Sequence, residues 1–409
     1  MLHRIWLGFF LVAFASALYQ WLGQGDAAVF QRMVASLFEM AALSVELAIG
    51  LIGLMALWLG VVAVGEASGL IAALARLLSP LFTRLMPEVP AGHPAISSMT
   101  LNLSANMLGL DNAATPLGIK AMKDLQTLNP SPDVASDAQI LFLVLNTSAV
   151  TIFPVTILLY RAQLGAPDPA AVFFPILIAT SCSTLAGLLV TARVQRIRLR
   201  DPVVLAFLGG GMALLLAMVA WFATLTAQEL ERQSSLLGNL LIFGLILLFL
   251  VVAHRRGVNV YDKFIEGARQ GFETAIGIIP YLLAMLVAIG ALRASGALDL
   301  LLDAVRSLVN LGGWDARWVD ALPTALIKPL SGSGARAMMI ETMNTFGVDS
   351  FQGRLAATLQ GSTETTFYVL AVYFGAVGLR HTRHALACGL AADAAGIGAA
   401  IAVAYWFYT

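Results

Sequence analysis

Apolar residues fill this chain in long blocks, and the polar positions inside those blocks are few and grouped. Nine blocks have the roughly 20 residues that a helix needs to cross hydrocarbon: 5–22, 47–65, 138–160, 169–192, 203–228, 235–253, 274–292, 355–379 and 385–409. Two of them carry a polar centre. Block 138–160 holds Asn146-Thr147-Ser148 and Thr151, and block 355–379 holds Gln360-Gly361-Ser362-Thr363-Glu364-Thr365. Polar atoms in hydrocarbon are costly, so such groups face a protein interior or a water-filled path. Segments 69–85 and 296–311 have helical periodicity interspersed with charges. They read either as helices lying at the membrane interface or as helices packed against the bundle.

Composition makes this a membrane reading. Of 409 residues 59% are apolar and 12% charged, against about 25% charged in soluble domains, and mean hydropathy is +0.83. The expectation is an all-α polytopic membrane protein. Net charge is zero, which gives no argument for nucleic acid. Cys182 and Cys388 lie in apolar blocks without metal or redox spacing. His381 and His384 belong to a basic flank rather than a metal pair. Neither a cofactor nor a metal is expected.

The blocks repeat. Glu39, Glu46, Ala48-Ile49-Gly50, Ala67-Ser68-Gly69 and Leu103-Ser104 recur 227 positions later as Glu266, Glu273, Ala275-Ile276-Gly277, Ala294-Ser295-Gly296 and Leu330-Ser331. Lys120-Ala121-Met122 then matches Arg336-Ala337-Met338 at 216, so the first copy carries an 11-residue insertion around 105–115. Ser148, Thr151 and Phe153 match Ser362, Thr365 and Phe367 at 214. Residues 1–200 read as a first repeat, 201–231 as a linker containing one spanning helix, and 232–409 as a second repeat. Block 5–22 has the look of a signal peptide, with Arg4 and Ala15-Ser16-Ala17. Its counterpart near 232–249 favours a retained span.

If segments 95–122 and 323–343 dip into the membrane and return, each copy crosses four times. The extra span at 203–228 then inverts the second copy. That is the architecture common in secondary transporters, here with two re-entrant hairpins and about nine spanning helices. A cytoplasmic N-terminus places the densest basic runs, Arg193 to Arg200 and His254-Arg255-Arg256, inside. The expected address is a bacterial cytoplasmic (inner) membrane.

Both hairpin segments combine small residues, hydroxyls and Gly or Pro ahead of a cation. The first contributes Asn102, Ser104, Asn106, Asn112, Thr115 and Lys120, the second Ser331, Ser333 and Arg336. A helix that starts inside a membrane offers unpaired N–H donors to a polar or anionic solute. Asn146, Ser148 and Thr151 mirror Gln360, Ser362 and Thr365, with Thr363 beside them, and these complete the expected substrate site. Single hydroxyls can instead back-bond within their own helix. Glu364 and Asp393 have no acidic counterparts in the first copy, where Val150 and Ala179 stand. They are the candidates for coupling to a proton or sodium ion. Glu364 could equally be a structural partner of Lys120 or Arg336. Asp393 could simply hold two helices together.

Ser331-Gly332-Ser333-Gly334 lacks the Gly-Lys-Ser/Thr of a P-loop, and neither His-Glu-x-x-His nor a catalytic triad is present. No enzymatic or ATP-driven activity is expected. The run from Asn102 through Leu103-Ser104-Ala105-Asn106-Met107-Leu108-Gly109-Leu110-Asp111-Asn112-Ala113-Ala114-Thr115-Pro116 to Met122 resembles the spore maturation protein A family. Pro329 to Gly334, Asp349-Ser350-Phe351, Gln360 to Phe367 and Thr382-Arg383-His384-Ala385 resemble spore maturation protein B. The chain is similar to the two fused. The resemblance implies a nucleoside-transporter/ferrous-iron-transporter gate domain, with inverted repeats, re-entrant hairpins and solute passage between them. The departure is the fusion itself.

Three functions follow as expectations. The first is a transporter of a small polar organic solute, anionic ones included, through a mid-membrane site. The second is a non-transporting scaffold of the cell envelope or spore maturation machinery. The third, a metal permease, is disfavoured because the site is poor in Cys and His. The lipid bilayer is a certain partner of such a chain. A homo-oligomer is suggested by the small residues of 385–404, which suit close helix packing.

Overall fold

A computed structural model describes residues 2–108, 111–148 and 151–409, excluding the side chains of 2–5 and 111–113. The Asn112 side chain therefore lies outside the described residues. The described chain is helical, with only an isolated bridge between Val134 and His381. It is an all-α polytopic membrane protein: among the described residues, seven helical stretches are long and apolar enough to cross a membrane. They are Trp6–Gln24, Ala28–Ala67, Pro169–Gln195, Pro202–Phe222, Ala227–Arg255, Val260–Ala294 and Ala385–Tyr408.

Helix bounds in the two halves of the chain correspond. α1 is Leu2–Gln24, α2 Ala28–Ala67 and α3 Leu70–Leu85. In the second half, α10 (Ala227–Arg255), α11 (Val260–Gly277), α12 (Ile279–Ala294) and α13 (Ala297–Leu311) take the same places. α2 and α12 end 227 residues apart, and α3 and α13 begin 227 apart. The corner between them is a glycine at left-handed φ in both copies, Gly69 at 69° and Gly296 at 67°, a conformation that other L-residues resist. The copies differ at one point. α2 is unbroken over 40 residues, whereas its counterpart is interrupted at Ile278, just before Pro280. Proline removes a helix donor and clashes with the preceding turn. The equivalent first-copy residue is Gly53.

α2 and α11 form the most extensive helix pair, and glycine makes their approach possible. A Cβ at Gly267 would lie 2.3 Å from the Leu59 carbonyl oxygen, and one at Gly271 would lie 2.5 Å from Ala56 Cα. Small residues at such crossings let backbones meet where lipid offers no hydrophobic drive for association.

The two polar-centred blocks are not continuous spans. Block 138–160 divides into α6 (Asp137–Thr147) and α7 (Val155–Gln163). Block 355–379 divides into α16 (Phe351–Ser362) and α17 (Thr366–Gly375). Each break falls on the polar cluster. Side-chain hydroxyls compete with helix bonding there, and Pro154 blocks resumption of α7 before its own position. The caps repeat as well: Ser136 and Ser350, 214 apart, accept the N–H of Gln139 and Gly353.

The two broken helices run antiparallel. The Arg380 and His381 N–H groups donate to the Asp133 carbonyl, and Arg383 pairs with Asp137 at 2.8 Å, joining the end of α17 to the start of α6. At the other end Arg161 of α7 pairs with Asp349, next to the cap of α16, at 2.7 Å. α4 (Pro94–Met107) folds against α5 (Asp111–Gln126), and α14 (Leu322–Ile327) against α15 (Gly332–Phe346), giving two helical hairpins. α8 (Phe173–Gln195) packs along α18 (Ala385–Tyr408). α9 (Pro202–Phe222) is almost wholly uncovered, as a lipid-facing helix would be.

Candidate functional site

Irregular backbone at membrane depth must find its hydrogen bonds inside the protein. Here the breaks satisfy one another. Ile152 N–H donates to the Met107 carbonyl at 2.9 Å, tying the α6–α7 break to the first hairpin. Phe367 N–H donates to the Pro329 carbonyl at 2.9 Å, tying the start of α17 to the second. Glu364 N–H donates to the Thr147 carbonyl at 2.8 Å, which joins the two breaks to each other.

Two cavities meet at this junction. The larger, about 510 Å³, lies on the α17 side and is lined by Asn106, Thr115, Asn146, Ser331, Ser333 and Thr365, with Tyr281, Phe367, Tyr368 and Tyr373 as aromatic wall. The smaller, about 90 Å³, lies on the α7 side, where Thr151, Thr156, Tyr160, Lys328 and Gln360 line it. Gly332, Arg336 and Glu364 belong to both. Backbone crowds this point: a Cβ on Gly332 would meet Thr365 Oγ1 at 2.8 Å.

Charge at the junction is loosely compensated. Glu364 and Lys328 stand 4.0 Å apart, Glu364 partly open and Lys328 buried. The Arg336 guanidinium lies 5.6 Å from the centre of the Tyr160 ring, and its Nε is buried without a hydrogen-bond partner. Gln360 Oε1 is likewise buried and unpartnered. A buried polar group left without a partner costs about 1–3 kcal/mol, so a donor and an acceptor stand here in want of a polar guest. Asn146 is more settled: its amide donates to the Phe142 carbonyl and its oxygen accepts from Asn106 at 2.9 Å.

Other residues expected at the site stand behind it. Asn102 donates to the Ala114 carbonyl at 2.7 Å and to Tyr373 at 3.3 Å. Ser148 and Ser362 back-bond to Val144 and Leu359. Ser104 is buried with an unpartnered hydroxyl, Thr363 is buried beside Asp393, and none of these five lines either cavity. Asp393 is 2% exposed; Thr366 donates to its Oδ2 at 2.7 Å, and its Oδ1 has no partner. It lies under the α16–α17 break rather than on the cavity wall.

Lys120 is elsewhere. Its ammonium is exposed and pairs with Asp124 at 3.0 Å, one turn along its own helix. The repeat aligns it with Arg336, but Arg336 is the fifth residue of α15 and Lys120 the tenth of α5. The insertion in the first copy starts α5 further ahead of its cation, which places Lys120 more than a turn deeper along its helix than Arg336. Lys328 was passed over, although a lysine between Ile327 and Pro329 within an apolar segment was a readable signal. Glu364 pairs with it, and not with Lys120 or Arg336.

Residues 48–163 and 275–380 match the model of the Gate domain, described as nucleoside recognition. The chain is 43% identical over 168 residues to spore maturation protein B of Bacillus subtilis, covering 41% of this chain and 88% of that protein. It is 32% identical over 190 residues to spore maturation protein A of the same organism, covering 46% of this chain and 93% of the relative. No solved structure matches.

Proposed function

The chain belongs to the Gate, nucleoside-recognition family, and on that premise we propose that it transports a small polar organic solute, anionic ones included, through the junction of the helix breaks. The observation that carries this is that Gly332, Arg336 and Glu364 are common to the cavities on either side. A solute passing between them must contact all three. Arg336, as a planar fork of donors, suits a carboxylate or phosphate group. The aromatic wall of the larger cavity suits a planar portion of the same molecule.

In this reading residues 1–200 and 232–409 are two inverted gate repeats joined through 201–231, and the two hairpins are re-entrant. The protein sits in a bacterial cytoplasmic membrane with its N-terminus inside. Coupling to a proton or sodium ion would run through Glu364 and Asp393. Asp393 is buried with no cation within ion-pair distance among the described residues. A buried carboxylate is expensive unless it is paired, which makes Asp393 a candidate to take up the coupling ion. Rocking or sliding of one repeat against the other would alternate access.

The relatives are named for spore maturation, and the rival reading is a non-transporting scaffold of that machinery. Thermal stabilisation of the purified protein by a metabolite panel, across pH and sodium, separates the two. Transport predicts a solute that stabilises the wild type and whose shift changes in Glu364→Gln. No stabilising solute, together with full complementation of a deletion strain by that variant, sinks the transporter.

A further inference from the structure

A second site lies away from the junction, where α8 ends and α9 begins. α8 closes on Arg196, which takes a left-handed φ of 57°, a conformation unusual for any residue but glycine or asparagine. The Ile197 N–H returns to the Ala192 carbonyl at 2.9 Å and fixes that turn. From there the chain alternates. Ile197 and Leu199 pack onto the core beside α3, while Arg196, Arg198 and Arg200 are exposed together with Arg193 on the last turn of α8.

None of these four arginines forms an ion pair among the described residues. The acids nearby are engaged elsewhere. Asp201 caps α9 by accepting from Val203 N–H at 2.9 Å, Asp137 pairs with Arg383, and Glu88 accepts from Ala138 N–H. Two hollows open here, of about 930 and 520 Å³, and Arg196, Ile197 and Arg198 line both. Beside them the surface turns apolar: Leu189 and Val194 of α8 and Leu205 of α9 are each more than half exposed.

We propose that this corner binds an anionic phospholipid, the phosphate held by Arg196 and Arg198 and the acyl chains lying along Leu189, Val194 and Leu205. Guanidinium forks grip phosphate bidentately. Basic recesses between membrane helices are the usual seats of acidic head groups. The exposed apolar flank argues for lipid over free phosphate, which has no use for it. General orientation of the chain by positive charge would need neither the hollows nor a strained arginine.

The test is a lipid titration of the detergent-solubilised full chain, read by native mass spectrometry and unfolding midpoint. The probes are phosphatidylglycerol, phosphatidylcholine and inorganic phosphate. R196Q/R198Q is compared with R255Q/R256Q, which removes the same charge from exposed positions at the end of α10. Phosphatidylglycerol should bind and stabilise the wild type and the α10 variant, with affinity about thirtyfold lower in R196Q/R198Q. Phosphatidylcholine and inorganic phosphate should do neither. Should R196Q/R198Q fail to accumulate, R196K/R198K keeps the charge but loses the fork, and should bind several-fold more weakly. Equal affinities across the variants, or equal stabilisation by inorganic phosphate, would overturn the proposal.

Discussion

Replacing Gly271 by alanine adds a single methyl group at the α2–α11 crossing, and the geometry leaves it no room. The new Cβ would lie 2.5 Å from Ala56 Cα, 2.5 Å from the Met55 carbonyl oxygen and 2.6 Å from Ala56 N. All three are backbone atoms, so no rotamer change relieves the clash. Carbon contacts settle near 3.5–4.0 Å, so the helices must separate by about 1 Å along most of their interface. Overpacking of this kind costs about 1–3 kcal/mol, against which alanine returns up to about 1 kcal/mol of helix propensity. Gly277, near the end of the same helix, meets nothing within 4 Å. Thermal unfolding of purified protein should therefore show Gly271→Ala a few degrees below wild type and Gly277→Ala at or above it. Equal midpoints for the two variants would mean that α2 and α11 do not touch as described.

Arg161 is fully buried and donates to Asp349 and to the carbonyls of Val348, Pro169 and Asp168; Asp349 is partly exposed and keeps Arg354 at 3.5 Å, so Arg161→Ala should lower stability mainly through the unpaired carbonyls, by about 1–3 kcal/mol, measured by denaturant or heat. Lys120→Ala removes only an exposed pair within one helix, so it should cost under about 1 kcal/mol and leave solute binding unchanged in the same thermal-shift assay. In the loop after α13, the Arg317 backbone N–H holds the Asp315 carboxyl below its usual range. Its folded value is the lower one, so its small contribution is present at neutral pH and fades below about pH 4. Asp315→Asn should lower the midpoint slightly at pH 7, and the difference should shrink progressively as the pH falls below about 4.

Much of this architecture could be read from the chain because hydrocarbon punishes polar groups so consistently. The 227-residue spacing in the sequence matches the spacing of the ends of α2 and α12, the starts of α3 and α13, and the two left-handed glycines. Length and hydropathy alone mistook the two polar-centred blocks for whole spans. What divides them is hydroxyl competition plus Pro154 in one, and in the other the bonds from Glu364 and Phe367 to neighbouring segments, which no local pattern announces. Residues that line the candidate cavities were legible where a cluster sat at a break, as with Asn146, Ser331, Arg336 and Glu364. They were not legible where alignment stood in for depth along a helix, as with Lys120. In the aromatic wall, Tyr281 of α12 meets Tyr368 and Tyr373 of α17, helices brought together only by folding.

The central claim is that a solute passes the point shared by both cavities. Uptake of a stabilising solute into sealed proteoliposomes tests it most directly, with wild type, Arg336→Gln and Lys120→Gln side by side. The account predicts flux in the wild type, near-complete loss in Arg336→Gln and no change in Lys120→Gln. Binding without flux in the wild type, or flux undiminished in Arg336→Gln, would contradict it.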